Sequence, residues 1–186
     1  AKLDAAVKAE LPPLKLERAR FITKVESDGS ARGPEGFDRV EFWVETNPGT
    51  RPGPLMKVAS GGELSRFMLA LKVVLADRGS APTLVFDEID TGVGGAVADA
   101  IGARLGRMAG QVQVIAVTHA PQVAARAGSH FLIAKEAVAG EVARVATRVL
   151  PLAADTRREE IARMLAGATI TEEARAAAAR LLEAAG

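Results

Sequence analysis

The spacing of apolar residues changes character near residue 60. Before that point, two short segments at 20–26 and 37–46 mix β-branched and aromatic residues with charges, as half-buried strands do. A Gly- and Ser-rich link at 27–36 joins the two segments, which predicts a loose hairpin. The Pro- and Gly-rich stretch at 47–54 is predicted to be a loop.

After residue 60 helical and strand-like runs alternate, which is typical of an α/β protein. Apolar residues at helical spacing predict a helix of about fourteen residues from Ser60 and another over 95–108. Continuously apolar runs at 83–86 and 112–117 predict strands of a sheet that is buried on both faces. The remaining predicted elements are a short helix after Pro121, a strand at 130–135, a weakly alternating edge strand at 140–150, and helices at 155–165 and at 171–185, the last with Thr171 as its N-cap.

The first eleven residues have helical character. Leu3, Val7 and Leu11 fall on one face of such a helix. Pro12 and Pro13 follow immediately and are predicted to end it, because proline lacks the amide that a helix needs and restricts the preceding residue.

Composition limits the classes of protein. At 186 residues, 48% of them hydrophobic, the chain is long enough for one or two globular domains with a substantial core. It has no cysteine, which excludes disulfides and thiolate metal sites and is compatible with a reducing cytoplasm. No apolar run is long enough to span a membrane. The chain starts without an apolar leader and without Met, so we expect a piece of a longer protein.

The charge balance gives no indication of a nucleic-acid partner. The formal net charge is +1, so no overall basic field attracts phosphate backbones. Arg104, Arg107 and Arg126 are the residues to scan for a local DNA contact, although a solvated helix face is the favoured role for each.

Ser60, Gly61, Gly62 and Glu63 lie where the first helix of the α/β part begins. One interpretation is a capping box, in which the Ser60 hydroxyl and the Glu63 carboxylate each accept a hydrogen bond from the other residue's amide. The other is an anion site, because glycines expose backbone amides at a helix N-terminus. Taken alone, the sequence favours the cap. The two interpretations are compatible, since a capped helix end can still face a phosphate.

Asp87 and Glu88 follow the apolar run at 83–86 and therefore end a predicted strand. Open α/β sheets bind their ligands at the carboxyl ends of such strands. There the first carboxylate can hold the Mg²⁺ of a nucleoside triphosphate, usually through water, and the second can polarise the attacking water. An acidic pair in a surface turn is the alternative, and standing alone it is supported equally well.

His119 follows the apolar run at 112–117 and precedes Pro121. A lone histidine is more often structural, but at the end of a parallel strand beside an acidic strand end it is a candidate contact for a γ-phosphate. His130 has no such context and is assigned no role. Two histidines without an accompanying carboxylate motif give little support to a metal site.

The chain lacks the loop that normally grips a nucleotide. A P-loop requires Gly-x-x-x-x-Gly-Lys-Ser/Thr. None of the lysines here follows a glycine; they are Lys2, Lys8, Lys15, Lys24, Lys57, Lys72 and Lys135. We therefore expect this chain to supply only half of a nucleotide site.

In this order, the three motifs resemble the C-terminal lobe of an ABC-type ATPase head. Residues 60–63 look like the signature motif, residues 84–88 like the Walker B strand and His119 like the switch histidine. The finer resemblance is to the SMC-like branch, and within it to a bacterial DNA repair family. The segments that carry this finer match are 57–66, 87–92 and 118–124, and the resemblance extends from about residue 37 to residue 170.

The resemblance implies an α/β lobe with a mostly parallel sheet, flanking helices and an N-terminal hairpin. Residues 1–19 would be the stump of a returning coiled-coil helix, and residues 20–186 would be the lobe itself. The implied partners are the protein's own N-terminal head lobe, which carries Walker A, a second copy of the head, and DNA. ATP and Mg²⁺ are the implied cofactors, and the implied location is the cytoplasm, in association with the nucleoid.

The resemblance also implies roles for individual residues. Asp87 would help to hold Mg²⁺, Glu88 would orient or deprotonate water, and His119 would sense the γ-phosphate in the same head. Two heads would sandwich two ATP molecules during DNA double-strand break repair, and this chain alone would be inactive. The residues that would bind the partner head's nucleotide are Ser60, Gly61, Gly62 and Glu63.

One position departs from the family pattern, and other functions remain open. Relatives commonly have Leu-Asp where this chain has Val93 and Gly94, and Asp90 could substitute only in a loop of different shape. An alternative function is an ATP-independent dimerisation or interaction module that uses the Ala-rich last helix or the hairpin around Trp43. A phosphohydrolase that uses the two acidic residues alone ranks last, because it leaves the glycine-rich helix start unexplained.

Overall fold

The computed structural model describes residues 2–30, 33–34, 36–76, 81–87, 89–138, 144–167 and 169–185. The chain divides into two compact units, a first unit (Ala1–Val117) and a second unit (Thr118–Gly186). Glu88 lies outside the described residues, as does part of the predicted strand at 140–150.

The first unit contains the N-terminal hairpin and the larger share of the helices. Its elements are α1 (Lys2–Glu10), a 3₁₀ turn (Pro12–Leu14), β1 (Arg20–Ser27), β2 (Asp38–Glu45), β3 (Gly53–Pro54), α2 (Leu55–Val58), α3 (Gly61–Val74), β4 (Thr83–Asp87), α4 (Gly95–Ala109) and β5 (Gln113–Val117).

The predicted hairpin is confirmed, and its sheet is larger than predicted. β1 and β2 pair antiparallel along their whole length. The predicted loop before residue 55 ends in β3, which pairs with Trp43 and Val44 of β2. Helix α1 packs against β1 and α3. Its Asp4 accepts hydrogen bonds from the Thr23 amide (2.9 Å) and from the Thr23 hydroxyl (2.6 Å).

β4 and β5 form the parallel pair that the apolar runs predict, but they are not buried on both faces. Their pairing is in register from Thr83 to Asp87. Helix α4 packs against β5, whereas the side chains of Val85, Ile115 and Val117 remain 66%, 47% and 51% exposed. The prediction of burial on both faces is therefore wrong for the described residues. One apolar face of these strands is therefore exposed among the described residues.

The second unit is a hairpin with three helices. Its elements are α5 (Pro121–Ala125), β6 (Phe131–Val138), β7 (Arg144–Pro151), α6 (Ala154–Ala166) and α7 (Glu172–Glu183). β6 and β7 follow each other without a crossover helix, so they pair antiparallel. Among the described strands, parallel pairing is therefore confined to β4 and β5. The predicted α/β class with flanking helices and an N-terminal hairpin is confirmed, whereas the described strands form three small sheets in place of the predicted mostly parallel sheet.

Small residues let the helices of the second unit pack closely. Its core residues are Ala124, Ala125, Ile161, Ala162, Ala174 and Ala178. The predicted N-cap is confirmed, because the Ala174 amide donates to the Thr171 hydroxyl at 3.3 Å. No helix in the described ranges is long and apolar enough to cross a membrane.

Candidate nucleotide-facing site

The start of α3 adopts the capping box that the sequence predicts. Ser60 is the N-cap, with extended backbone angles (φ −67°, ψ 162°). The Glu63 carboxylate turns back and accepts from the Ser60 amide at 3.0 Å and from the Ser60 hydroxyl at 2.7 Å. These two bonds hold the N-cap residue against the first turn of the helix.

The hydrogen bonds from Ser60 also stabilise the charged form of Glu63. The Ser60 hydroxyl, and next its amide, hold the pKa of Glu63 below its ordinary value, and the positive charge of Arg66 adds a smaller effect in the same direction. Glu63 is thus an anchoring carboxylate at this helix end.

The two glycines of the motif have different surroundings. Gly61 is exposed, and a Cβ added to it would meet no atom within 4 Å. A Cβ added to Gly62 would lie 3.3 Å from Nη1 of Arg66 and 3.6 Å from the carbonyl oxygen of Thr91. The first turn of α3 therefore has an open side at Ser60 and Gly61 and a crowded side at Gly62.

Asp87 ends β4, as predicted, and lies beside α3. A shallow depression of about 260 Å³ places this carboxylate next to one side of the helix. The residues that line it are Leu64, Ser65, Met68, Val85, Phe86, Asp87 and Ile89. The strand end and the first half of α3 thus contribute to one concave surface of the first unit.

Of the three residues predicted to act on the nucleotide of the same head, Asp87 is described in the first unit. Glu88 lies outside the described residues, and the exposed His119 belongs to the second unit. Asp87 pairs in register with Val117, the last residue of β5. Their joint action therefore stays a prediction.

The chemistry of Asp87 fits one ligand of a magnesium ion. Mg²⁺ in nucleotide sites is bound by one or two carboxylates, with water and substrate phosphates as the other ligands. Among the residues that the structure describes, no three His, Asp or Glu side chains cluster as a metal site. An exposed carboxylate at a strand end can therefore supply a single ligand, and the nucleotide would have to supply others.

Asp90 lies in the loop that follows β4. The side chain of Asp90 is buried, with 1% of the residue exposed. The Val93 amide donates to the Asp90 carbonyl at 3.3 Å, and Gly92 adopts a positive φ of 73°. Gly94 serves as the N-cap of α4, and its carbonyl accepts from two amides of the first turn. Asp90 therefore does not present a carboxylate at the surface in place of the missing aspartate.

Two arginines that were considered for DNA contact form ion pairs with Glu10 of α1. Arg104 Nε lies 2.9 Å from the Glu10 carboxylate, and both side chains are largely buried. Arg107 Nη2 lies 2.6 Å from the other oxygen of Glu10. The expectation of a solvated helix face is therefore wrong for Arg104. Sequence patterns do not show such a pairing, because its partners are far apart in the chain.

Comparisons with known proteins were made by sequence and by structure. No protein-family model matches the chain. The DNA repair protein RecN of Xylella fastidiosa (strain Temecula1) is 48% identical over 150 residues, which cover 81% of this chain and 26% of that protein. RecN of Vibrio cholerae is 41% identical over 184 residues, covering 99% of this chain and 33% of that protein. The chain thus spans about a quarter to a third of the length of these curated relatives.

Solved structures show a similar fold at low sequence identity. The SMC head domain of Pyrococcus yayanosii, with its coiled coil and joint, has a TM-score of 0.59 at 18% identity and covers 86% of this chain and 28% of that one. A structure from work on ATP-driven dimerization and DNA-stimulated activation of SMC ATPases has a TM-score of 0.53 at 16% identity, covering 90% of this chain and 93% of that one. The chain therefore belongs to the RecN family of DNA repair proteins, and its fold is that of the C-terminal lobe of an SMC-type ATPase head.

Proposed function

We propose that this chain is the C-terminal lobe of an ATPase head that acts in DNA double-strand break repair. Two such heads sandwich two ATP molecules, and engagement and release of the heads act on DNA ends or bridge DNA. The role in DNA repair is supported by the relatives, which are named DNA repair proteins. The ATP-dependent engagement of two heads is supported by the similar fold of an SMC ATPase from work on ATP-driven dimerization.

The observation that carries the proposal is the open side of the α3 N-terminus. Ser60 and Gly61 are exposed, so a ligand in solution can reach this end of the helix. The Ser60 amide donates to the Glu63 carboxylate, and this bond holds the turn in place. A helix N-terminus carries roughly half a positive charge, which attracts phosphate. The residues that bind the partner head's ATP in this proposal are Ser60, Gly61, Gly62 and Glu63.

The remaining site residues act on the nucleotide of their own head. Asp87 holds Mg²⁺, usually through water, and Mg²⁺ supplies charge neutralisation to the phosphates when it is bound. Glu88 orients the attacking water and accepts its proton. His119 contacts the γ-phosphate.

The proposal requires the protein's own N-terminal lobe, because no lysine of this chain stands in a P-loop. The uncovered face of β4 and β5 supports such a partner, since exposed apolar patches mark interaction surfaces. An ATP-independent module is less well supported. The Ala-rich face of α7 is buried within the second unit, and Trp43 donates a hydrogen bond to Glu41 at 2.9 Å within the hairpin.

The test is the Glu88→Gln variant of the full-length protein that contains this lobe. We expect ATP binding to persist, ATP-dependent dimers to accumulate, and hydrolysis to fall by about 100-fold or more, since a general base contributes that much. Glu17→Gln, at an exposed position of the first unit, is the matched control. Undiminished hydrolysis in Glu88→Gln would contradict the role of Glu88. Substantial turnover by residues 1–186 alone would contradict the need for a second lobe.

A further inference from the structure

Arg66 is a half-buried cation on α3. It lies in the first two turns of α3, three residues after Glu63. Its Nε is fully enclosed and has no hydrogen-bond partner among the described residues. Enclosing part of a charged group without a hydrogen-bond partner is unfavourable, so the presence of Arg66 at this position requires an explanation.

The guanidinium occupies the space that glycine leaves free at position 62. Nη1 lies 3.3 Å from the place that a Gly62 Cβ would take, and the Thr91 carbonyl oxygen lies 3.6 Å from the same place. Any larger residue at 62 would displace the guanidinium or the loop that follows β4. The Arg66 guanidinium therefore lies beside Gly62 in the first turn of the helix.

Arg66 also acts on the anchor of this turn through its charge. It is a cation within electrostatic reach of Glu63 and favours the ionised carboxylate. That carboxylate holds the Ser60 amide and the Ser60 hydroxyl. Proximity to Gly62 and attraction to Glu63 thus both connect Arg66 with the first turn of α3.

We infer that Arg66 is a positioning residue for the phosphate-facing turn of α3, acting through Gly62 and Glu63. The inference rests on the proposed function, because Arg66 is expected to act when this turn binds the nucleotide of a second head. In this role Arg66 acts on the turn that meets the nucleotide of the second head, so we expect its removal to affect engagement and turnover and to leave the first binding step unchanged.

The experiment compares Arg66→Gln and Arg66→Lys in the full-length protein with the wild type. Lys72→Gln is the matched control, since Lys72 is an exposed cation in the last turn of the same helix. Three quantities are measured: binding of a fluorescent ATP analogue to single heads, ATP-dependent dimerisation by light scattering, and kcat with KM for ATP. Far-UV circular dichroism and the unfolding midpoint verify the fold of each variant.

We expect Arg66→Gln to weaken ATP-dependent dimerisation and to lower kcat by about tenfold, with analogue binding unchanged. Arg66→Lys should recover part of the loss, because it restores the charge without the planar fork. Lys72→Gln should match the wild type. Equal kcat and dimerisation in Arg66→Gln and Lys72→Gln would overturn the inference alone. The inference would also be overturned if Arg66→Gln lowered kcat and the unfolding midpoint together and Arg66→Lys did not restore kcat. A wild-type protein that forms no ATP-dependent dimer would overturn the proposed function as well.

Discussion

Replacing Glu10 by Gln removes the charge that holds two arginines of α4 at the end of α1. Arg104 and Glu10 are 11% and 16% exposed, and Arg104 also donates to the Ala100 carbonyl at 3.0 Å. Removing one partner of a buried ion pair costs about 3–5 kcal/mol, because the other charge stays buried. Arg104 keeps its bond to Ala100, and the pair retains some access to water. We therefore expect a loss of about 2 kcal/mol, below the range for a fully buried pair.

Arg107 provides the matched comparison. Its contact with Glu10 is shorter than that of Arg104, 2.6 Å against 2.9 Å, but its own side chain is 58% exposed. Exposed ion pairs contribute about 0–1 kcal/mol, so Arg107→Gln should lower the free energy of unfolding by less than about 1 kcal/mol. Because Glu10→Gln affects both contacts and Arg107→Gln only the exposed one, the difference between the two variants reports the contribution of the buried contact.

The assay is urea unfolding of the chain followed by the fluorescence of Trp43. This is the single tryptophan of the sequence, and it lies on β2 in the same unit as α1 and α4. The signal therefore reports on the first unit even if the two units unfold separately. Equal small losses in Glu10→Gln and Arg107→Gln would refute the reasoning, because the buried contact would then contribute no more than the exposed one.

Three further changes test local features of the two units. Gly53→Ala would place a Cβ 2.4 Å from Cγ2 of Val58, so we expect a loss of about 1–3 kcal/mol that Val58→Ala relieves, measured by the same unfolding assay. Because the pKa of Glu63 is lowered in the folded state, its contribution is full above its ordinary value near 4.5 and is lost as the pH falls through the lower folded value. The stability difference between the wild type and Glu63→Gln should therefore shrink below that ordinary value, and a difference that grows with acid would contradict the assignment. Thr171→Ala should cost about 1 kcal/mol of stability in the second unit, followed by far-UV circular dichroism, and an unchanged midpoint would show that the cap contributes nothing.

Local patterns were sufficient to predict most elements near the candidate site. Helical spacing predicted α3 and α4, and apolar runs predicted the pairing partners β4 and β5 to within one residue at each end. The capping box and the position of Asp87 at a strand end also follow from short sequence motifs. These features depend on residues close together in the chain, and that is why they are visible without a structure.

Features that depend on distant residues were not predictable in the same way. The burial of Arg104 requires Glu10, which is 94 residues away. The buried placement of Asp90 depends on how the loop after β4 folds over the first unit, and the motif itself does not specify that path. The short β3 arises because β2 offers it a free edge, a property that the Pro- and Gly-rich sequence does not reveal.

The uncovered face of β4 and β5 provides the last test of the proposed two-lobe head. Val85 is opposite Ile115 in the pairing, and both side chains are exposed, so Val85→Lys should change the free energy of unfolding of the isolated chain by less than about 0.5 kcal/mol. If the N-terminal lobe covers this face, the same lysine would be buried without a partner, which is strongly unfavourable. Val85→Lys should then abolish co-purification with a co-expressed N-terminal lobe. Val40→Lys, at a comparably exposed position of the hairpin, is the control. Equal co-purification of the two variants would mean that the apolar face of β4 and β5 serves something other than lobe assembly.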